Sequence, residues 1–258
     1  MPPLPIFAFL IVAAALAGFV DAAIGGGGLV QLPALLIAFP GQAVPPLLGT
    51  NKLASCAGTT FAAAQFARAR LLAWRDVLGP ICASMAGSAA GVALVYAVQG
   101  RFDAYLRPVL LLMMVAMLVF MLLRPGLGHL HAPRFALHHQ RTLVLAIAAA
   151  MGCYDGFFGP GMGALLIFLF VTLLGFDFLH ASALAKAVNW ASNISALALF
   201  LAHGSWLPLT ALSMAVANSL GGYLGARVAL AKGNVWLRRL FIFVVSLLIL
   251  RLSWQLAA

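Results

Sequence analysis

Acidic residues are almost missing from this chain. Of 258 residues, five are Asp or Glu and fifteen are Lys or Arg, which leaves the charged fraction at 8%. An ordinary soluble domain carries about a quarter of its residues as charges, so a water-facing globule of this length is excluded. Cysteine is scarce as well. Cys56, Cys82 and Cys153 stand far apart in apolar context, with no CxxC or Cys/His spacing. That pattern excludes a disulfide framework and a zinc site, and no metal or cofactor is expected. Short segments of alternating polarity, the mark of a membrane barrel, are absent too.

What is present is apolar sequence. The hydrophobic fraction is 64% and the mean hydropathy +1.08. Repeated apolar runs approach the roughly 20 residues that a bilayer crossing needs. The fold class expected is an all-α polytopic protein of the inner membrane. The net charge of +10 falls on arginines between the runs. It reads as cytoplasmic loop charge rather than as a nucleic-acid surface. His129, His131, His138 and His139 share one polar connection and read as a solvated loop. The first 22 residues have the apolar run and small residues of a signal peptide but lack its positive leader. They are expected to stay as a structural helix.

Shifting the sequence by 134 residues superposes its landmarks. Gly18 falls on Gly152, Asp21 on Asp155, Gly25 on Gly159 and Gly27 on Gly161. Lys52 falls on Lys186, Gly87 on Gly221 and Gly91 on Gly225. The chain therefore divides into a first repeat at 1–126, a basic cytoplasmic linker at 127–140 and a second repeat at 141–258. Each repeat has five apolar segments. They run roughly over 4–22, 28–39, 47–66, 76–98 and 104–123, then 142–157, 162–175, 181–202, 207–230 and 236–255.

The second segment of each repeat, at about 1.5 Å per residue, reaches only about 20 Å, short of a core of about 30 Å. Broken or re-entrant helices meeting at the glycines near mid-membrane are expected. An odd number of crossings inverts the second copy. Loop charge agrees. Arg68, Arg70 and Arg75 follow the third segment of the first copy, while the matching loop at His203 and Gly204 has no Lys or Arg. Inverted repeats of this kind place a substrate site at their interface near the midplane.

Ionisable residues inside membrane segments are costly and mark function by default. Asp21, Lys52, Asp155 and Lys186 are the clearest four. Asp–Lys pairing that locks the bundle would also account for them. The run Gly25, Gly26, Gly27, Gly28 and its counterpart with Gly159 and Gly161 indicate unwound turns, tolerated at this depth only inside protein or along a cavity. The helix that follows each turn aims free amides and a positive dipole end at it, which favours an anion. Lys52, Ser55 and Thr59, with Asn51 beside them, fall on one helix face. Lys186, Asn189 and Asn193 repeat the spacing. The expected site is a cavity on the pseudo-twofold axis, with these donors binding a small oxyanion and Asp21 and Asp155 coupling it to protons. Gly87, Gly91, Gly221 and Gly225 read instead as close helix contacts.

At these residues the chain resembles the TauE/SafE sulfite and organosulfonate exporter family, and within it the YfcA-like group. The resemblance covers nearly the whole chain. It rests on "GFVDAAIGGGGLVQLPALL" and "LGTNKLASCAGT" in the first half, and on "YDGFFGPGMG", "GFDFLHASALAKAVNWASNISAL" and "GARVALAKG" in the second. It implies an inner-membrane carrier that exports sulfite, sulfonates or related sulfur anions using the proton gradient. Pro160 and Met162 interrupt the second glycine motif, so the half-sites are not strictly alike. The expected partners are the small anion, protons and lipid, without nucleic acid; homo-oligomer formation stays open.

Competing readings are an anion channel, a cation carrier and an intramembrane aspartyl protease. The lysines argue against a bare cation site. The protease needs a Gly-x-Gly-Asp motif, and here the glycines follow Asp21 instead of preceding it. No enzyme activity is expected.

Overall fold

The computed structural model describes residues 3–69, 71–98 and 136–232, with isolated positions between 112 and 123 and between 243 and 254. Among the described residues the secondary structure is entirely helical. In chain order the helices are α1 (Leu4–Ile24), α2 (Gly28–Ala38), α3 (Val44–Arg68), α4 (Trp74–Ala97), α5 (Leu137–Phe157), α6 (Met162–Thr172), α7 (Phe178–Ala202) and α8 (Pro208–Lys232). The fifth segment expected in each repeat, 104–123 and 236–255, lies outside the described residues, as does most of the linker. One boundary differs. Helix α5 starts at Leu137, inside the stretch assigned to the linker, because the polar run His138–Arg141 continues the helix beyond its apolar part.

The lengths follow from local chemistry. Pro45 and Pro46 stand in the first turn of α3, where a missing amide costs nothing. Asp177 caps α7, its Oδ1 accepting the amides of Leu179 (2.9 Å) and His180 (3.0 Å), the usual role of Asp at this position. Gly25 ends α1 in the left-handed region at φ 81°, and its amide closes on the Asp21 carbonyl at 2.8 Å. Helices α2 and α6 have 11 residues each, about 16 Å of rise.

Three described helices are long and apolar enough to cross a membrane: Leu4–Ile24, Trp74–Ala97 and Leu179–Ala202. Helices α3 and α8 are 25 residues long, about 37 Å. Polar residues such as Thr50, Asn51, Lys52 and Asn218 lower their hydropathy, and those same residues are buried. Apolar side chains meanwhile face outward. Leu209, Leu212, Val216, Leu220 and Leu224 form an exposed stripe along α8 at helical spacing. A polar interior under an apolar surface suits lipid, not water. The short helices are the inner layer: Leu29, Leu32, Leu35, Leu166, Ile167 and Phe170 are all buried.

Helix contacts follow the 134-residue offset with the halves exchanged. Helix α1 packs against α8 and α5 against α4; α3 packs against α8 and α7 against α4; and α3 meets α7. The glycines give the register. A β-carbon on Gly87 would fall 2.1 Å from the Ala149 carbonyl oxygen, and one on Gly221 would fall 2.0 Å from that of Ala15. Gly91 sits as tightly on Cys153, and Gly225 on Phe19. These small residues let the backbones touch, and dispersion over the whole seam holds them.

Residue numbers rise together along α4/α5 and α1/α8. They also rise together along α4/α7, where Ser84 bonds the Val188 carbonyl and Ser88 that of Ser192. Along α3/α8, Gly49 lies by Ser205 and Gly58 by Asn218. Between α3 and α7 they run oppositely, with Lys52 by Asn193 and Thr60 by Trp190. Corresponding helices of the two halves thus run in opposite senses along these contacts.

Candidate functional site

The two glycine turns meet. The Ala164 amide donates to the Gly25 carbonyl at 3.0 Å, and a β-carbon on Gly25 would lie 2.3 Å from the Gly163 carbonyl carbon. Only glycine fits there, both for this contact and for the positive φ. The first turn also folds back along α1, since a β-carbon on Gly27 would fall 2.5 Å from the Ala17 carbonyl oxygen. Gly159 and Gly161 take positive φ as well, 97° and 77°.

The third helix of each half brings its lysine to this junction. Lys52 is eight residues past Val44 and Lys186 eight past Phe178, so each stands about two turns into its helix. Each turns to the other half's aspartate. The Lys52 ammonium lies 2.7 Å from Asp155 Oδ1, with both side chains buried, and donates to Asn193 Oδ1 at 3.3 Å. Ser192 donates its hydroxyl to Asp155 Oδ2. The Lys186 ammonium donates to the backbone carbonyl of Asp21, while Asp21 Oδ1 accepts the Gly27 amide at 3.2 Å. Pairing crosses the halves in both cases, but only one case is an ion pair between side chains.

Between these groups lies a cavity of about 20 Å³, bounded by residues from both halves. It admits about one water-sized particle. Of the residues expected to form the site, Asp21, Gly25, Gly28, Asn51, Lys52, Ser55, Asp155, Gly159, Gly161, Asn189 and Asn193 line it. Gly26, Gly27, Thr59 and Lys186 do not. Thr59 is buried with its hydroxyl on its own helix, at the carbonyls of Ser55 (2.8 Å) and Cys56 (3.2 Å), a local bond that competes with any outward one.

Several of the amides expected to be free are taken. Gly27 serves Asp21, Leu29 bonds Gly26, and Ala164 bonds Gly25. Among the described residues, no backbone acceptor takes the amides of Gly28 or Gly163, and both glycines line the cavity.

Met162 and Gly163 also line the cavity, and Ser192 holds Asp155; none of the three is among the site residues expected from sequence. A buried amide network supports Asn51. Gln31 Nε2 donates to the Asn51 carbonyl and to its Oδ1, both at 3.0 Å. Asn218 Nδ2 donates to Gln31 Oε1 at 2.6 Å. The network joins the two halves and has no symmetric counterpart, since Leu165, Ala185 and Ser84 occupy the positions matching Gln31, Asn51 and Asn218.

A second, larger cleft of about 690 Å³ opens between the start of α4, the start of α5 and the link into α7. Its rim carries Arg75, Asp76, Arg141 and His180, and its floor is apolar, with Leu72, Val144 and Leu184. Arg141 and Asp76 pair there at 3.3 Å, both exposed.

Comparison with known proteins agrees with this architecture. The family model described as "Sulfite exporter TauE/SafE" matches residues 10–252. A Sinorhizobium protein named "Probable membrane transporter protein ORF9" is 36% identical over 253 residues, covering 96% of this chain and 92% of its own. An Escherichia coli K12 protein, "Probable membrane transporter protein YfcA", is 35% identical over 246 residues, covering 95% and 89%. A "Probable membrane transporter protein" of Haemophilus influenzae is 33% identical over 247 residues, covering 93% and 91%. No solved structure matches the chain. With a family match spanning almost every residue, and with Lys52, Asp155 and Lys186 buried beneath an apolar surface, this chain belongs to the TauE/SafE family and is a membrane transporter.

Proposed function

We propose that the chain is a multi-pass secondary transporter of the inner membrane that exports small sulfur-containing oxyanions, such as sulfite or an organosulfonate, in a proton-coupled alternating-access cycle. The two halves act as inverted repeats across the bilayer, with the substrate site at their junction. One observation carries the reading: each half sends a buried lysine to the other half's aspartate, at the place where the two glycine turns touch.

A cavity of about 20 Å³ does not admit a polyatomic anion until something moves. Lys52 leaving Asp155 frees an ammonium for the anion and enlarges the space. Asn51, Ser55, Asn189 and Asn193, with the amides of Gly28 and Gly163, then supply further donors. Oxyanion recognition by such donors is the ordinary chemistry of helix starts and amide groups. Proton binding at an aspartate compensates the charge that the anion brings. The arginines at the rim of the large cleft raise the local anion concentration on the face that loop charge assigns to the cytoplasm.

The test is counterflow. Proteoliposomes holding the full chain are loaded with unlabelled sulfite and given labelled sulfite outside, with sulfate, thiosulfate, methanesulfonate and acetate as competitors. Transient uphill accumulation of label is expected, with loss in Lys52→Ala and Lys186→Ala. Label entry without overshoot makes the chain a channel. Unchanged exchange in both lysine variants removes the proposed site.

A further inference from the structure

The two aspartates of the site occupy matching positions but are not held alike. Both oxygens of Asp155 are engaged, Oδ1 by the Lys52 ammonium and Oδ2 by the Ser192 hydroxyl. Asp21 has the Gly27 amide on Oδ1. Its Oδ2 is buried and has no hydrogen-bond partner among the described residues. Lys186, the equivalent of Lys52, bonds the main chain of Asp21 and not its carboxylate.

One difference between the copies bears directly on the two Oδ2 atoms. Ser192 corresponds to position 58, which is Gly58. The volume a side chain would take there is filled by Asn218, whose Oδ1 would lie 1.8 Å from a β-carbon on Gly58. Asn218 in turn is fixed by its bond to Gln31. No hydroxyl stands over Asp21 Oδ2. A buried carboxylate oxygen lacking a donor is poorly satisfied, whereas a carboxyl bearing a hydrogen on that oxygen becomes a donor itself.

We infer that Asp21 is the proton-carrying carboxyl of the transport cycle, and that Asp155 is a fixed counter-ion that stays ionised against Lys52. The inference rests on the transporter reading of this site. The charged groups around Asp21 are Lys186 on α7, Lys52 on α3 and Asp155 on α5. Helices α2 and α6 carry none, and Arg227 on α8 is exposed over the Tyr223 ring. The step itself is simple. A proton from water adds to Oδ2, the carboxylate becomes a neutral carboxyl, and the proton returns to water when the carboxyl ionises again; no other bond changes. A neutral Asp21 leaves the two ammonium groups facing one carboxylate, so the cavity gains net positive charge and an anion binds better. By linkage, anion binding then draws in the proton.

The chain makes the test tractable, because its five side-chain carboxyls are all aspartates: Asp21, Asp76, Asp103, Asp155 and Asp177. Infrared difference spectra of the reconstituted full chain are recorded between mildly alkaline and mildly acidic buffer, with no anion added. A protonated-carboxyl band is expected in the wild type and in the double variant Lys52→Gln/Asp155→Asn, which leaves no buried lone charge. It is expected to vanish in Asp21→Asn. Ser192→Ala, which strips Asp155 of its hydroxyl partner, is expected to add a second component. A band that survives Asp21→Asn, that disappears in the double variant, or that is missing from the wild type overturns the assignment.

Transport gives the second readout. With sulfite as tracer, counterflow in Asp21→Asn is expected to lose its pH dependence, and a pH dependence retained in that variant refutes the coupling role. If the band behaves as expected but the wild type moves no sulfite, the transporter reading fails for this anion while the placement of the proton on Asp21 stands.

Discussion

Replacing Lys52 with Met strands the Asp155 carboxylate in the interior. At 2.7 Å and an effective dielectric of about 20, the attraction between the two charges is roughly 6 kcal/mol before desolvation is counted. Desolvation consumes much of it, so the pair adds little to stability as a whole. Breaking it from one side is different, because the remaining charge stays buried, and the usual cost is about 3–5 kcal/mol. Lys52→Met and Asp155→Asn should each fall in that range, while the double variant should lie within about 1 kcal/mol of the wild type. The resulting coupling is at least about 5 kcal/mol, well outside the additivity of independent sites.

The cycle at Lys186 and Asp21 should behave otherwise. Lys186 donates to the main-chain carbonyl, which Asp21→Asn retains, so the coupling there should stay under about 1 kcal/mol. Reversible unfolding in mixed detergent, followed by circular dichroism, measures both. Additive single variants at Lys52 and Asp155, or equal coupling in the two cycles, would refute the reasoning.

Three further outcomes are expected. Gly25→Ala forces an L-residue to φ 81° and drives its β-carbon to 2.3 Å from the Gly163 carbonyl carbon; strain of about 1–2 kcal/mol from the backbone alone adds to the clash, and size-exclusion profiles should show little folded protein. Gly41→Ala meets nothing within 4 Å and should leave stability within about 0.5 kcal/mol. At the α7 cap, burial pushes the Asp177 carboxyl up, but bonds from His180 and Leu179 and the His180 charge outweigh it and hold the carboxyl below its ordinary range. That stabilisation is whole above about pH 4 and fades as pH falls through the lowered native value. Asp177→Ala should therefore cost about 1 kcal/mol near neutral pH in thermal unfolding, with the gap to wild type closing in strong acid.

Much of the architecture was legible because membrane burial simplifies the code. Apolar runs gave the helices, and the 134-residue offset gave contacts that hold to the residue: Gly87 on Ala149 repeats as Gly221 on Ala15. Cavity-lining positions such as Asp21, Lys52, Asp155 and Asn193 stood out because charge and amide groups are conspicuous in such a chain.

What stayed hidden depends on three dimensions. An offset cannot say whether Lys52 meets Asp21 of its own copy or Asp155 of the other; helix packing decides that. Thr59 shares a helical face with Lys52, yet its hydroxyl finds a nearer acceptor one turn back. Ser192 does not stand out from the repeat, because the position matching it is Gly58. Its importance lies in a difference, a hydroxyl in one half facing a bare backbone position in the other.

The glycine seams bear on how such a molecule can move. Each joins a helix of one sequence half to a helix of the other, with main chains in contact over several turns. Parting them would open voids that neither lipid tails nor water could readily fill. The units these seams hold together are therefore composite, α1 with α3 and α8 on one side and α4 with α5 and α7 on the other, and the boundary between them does not follow the boundary between the sequence halves.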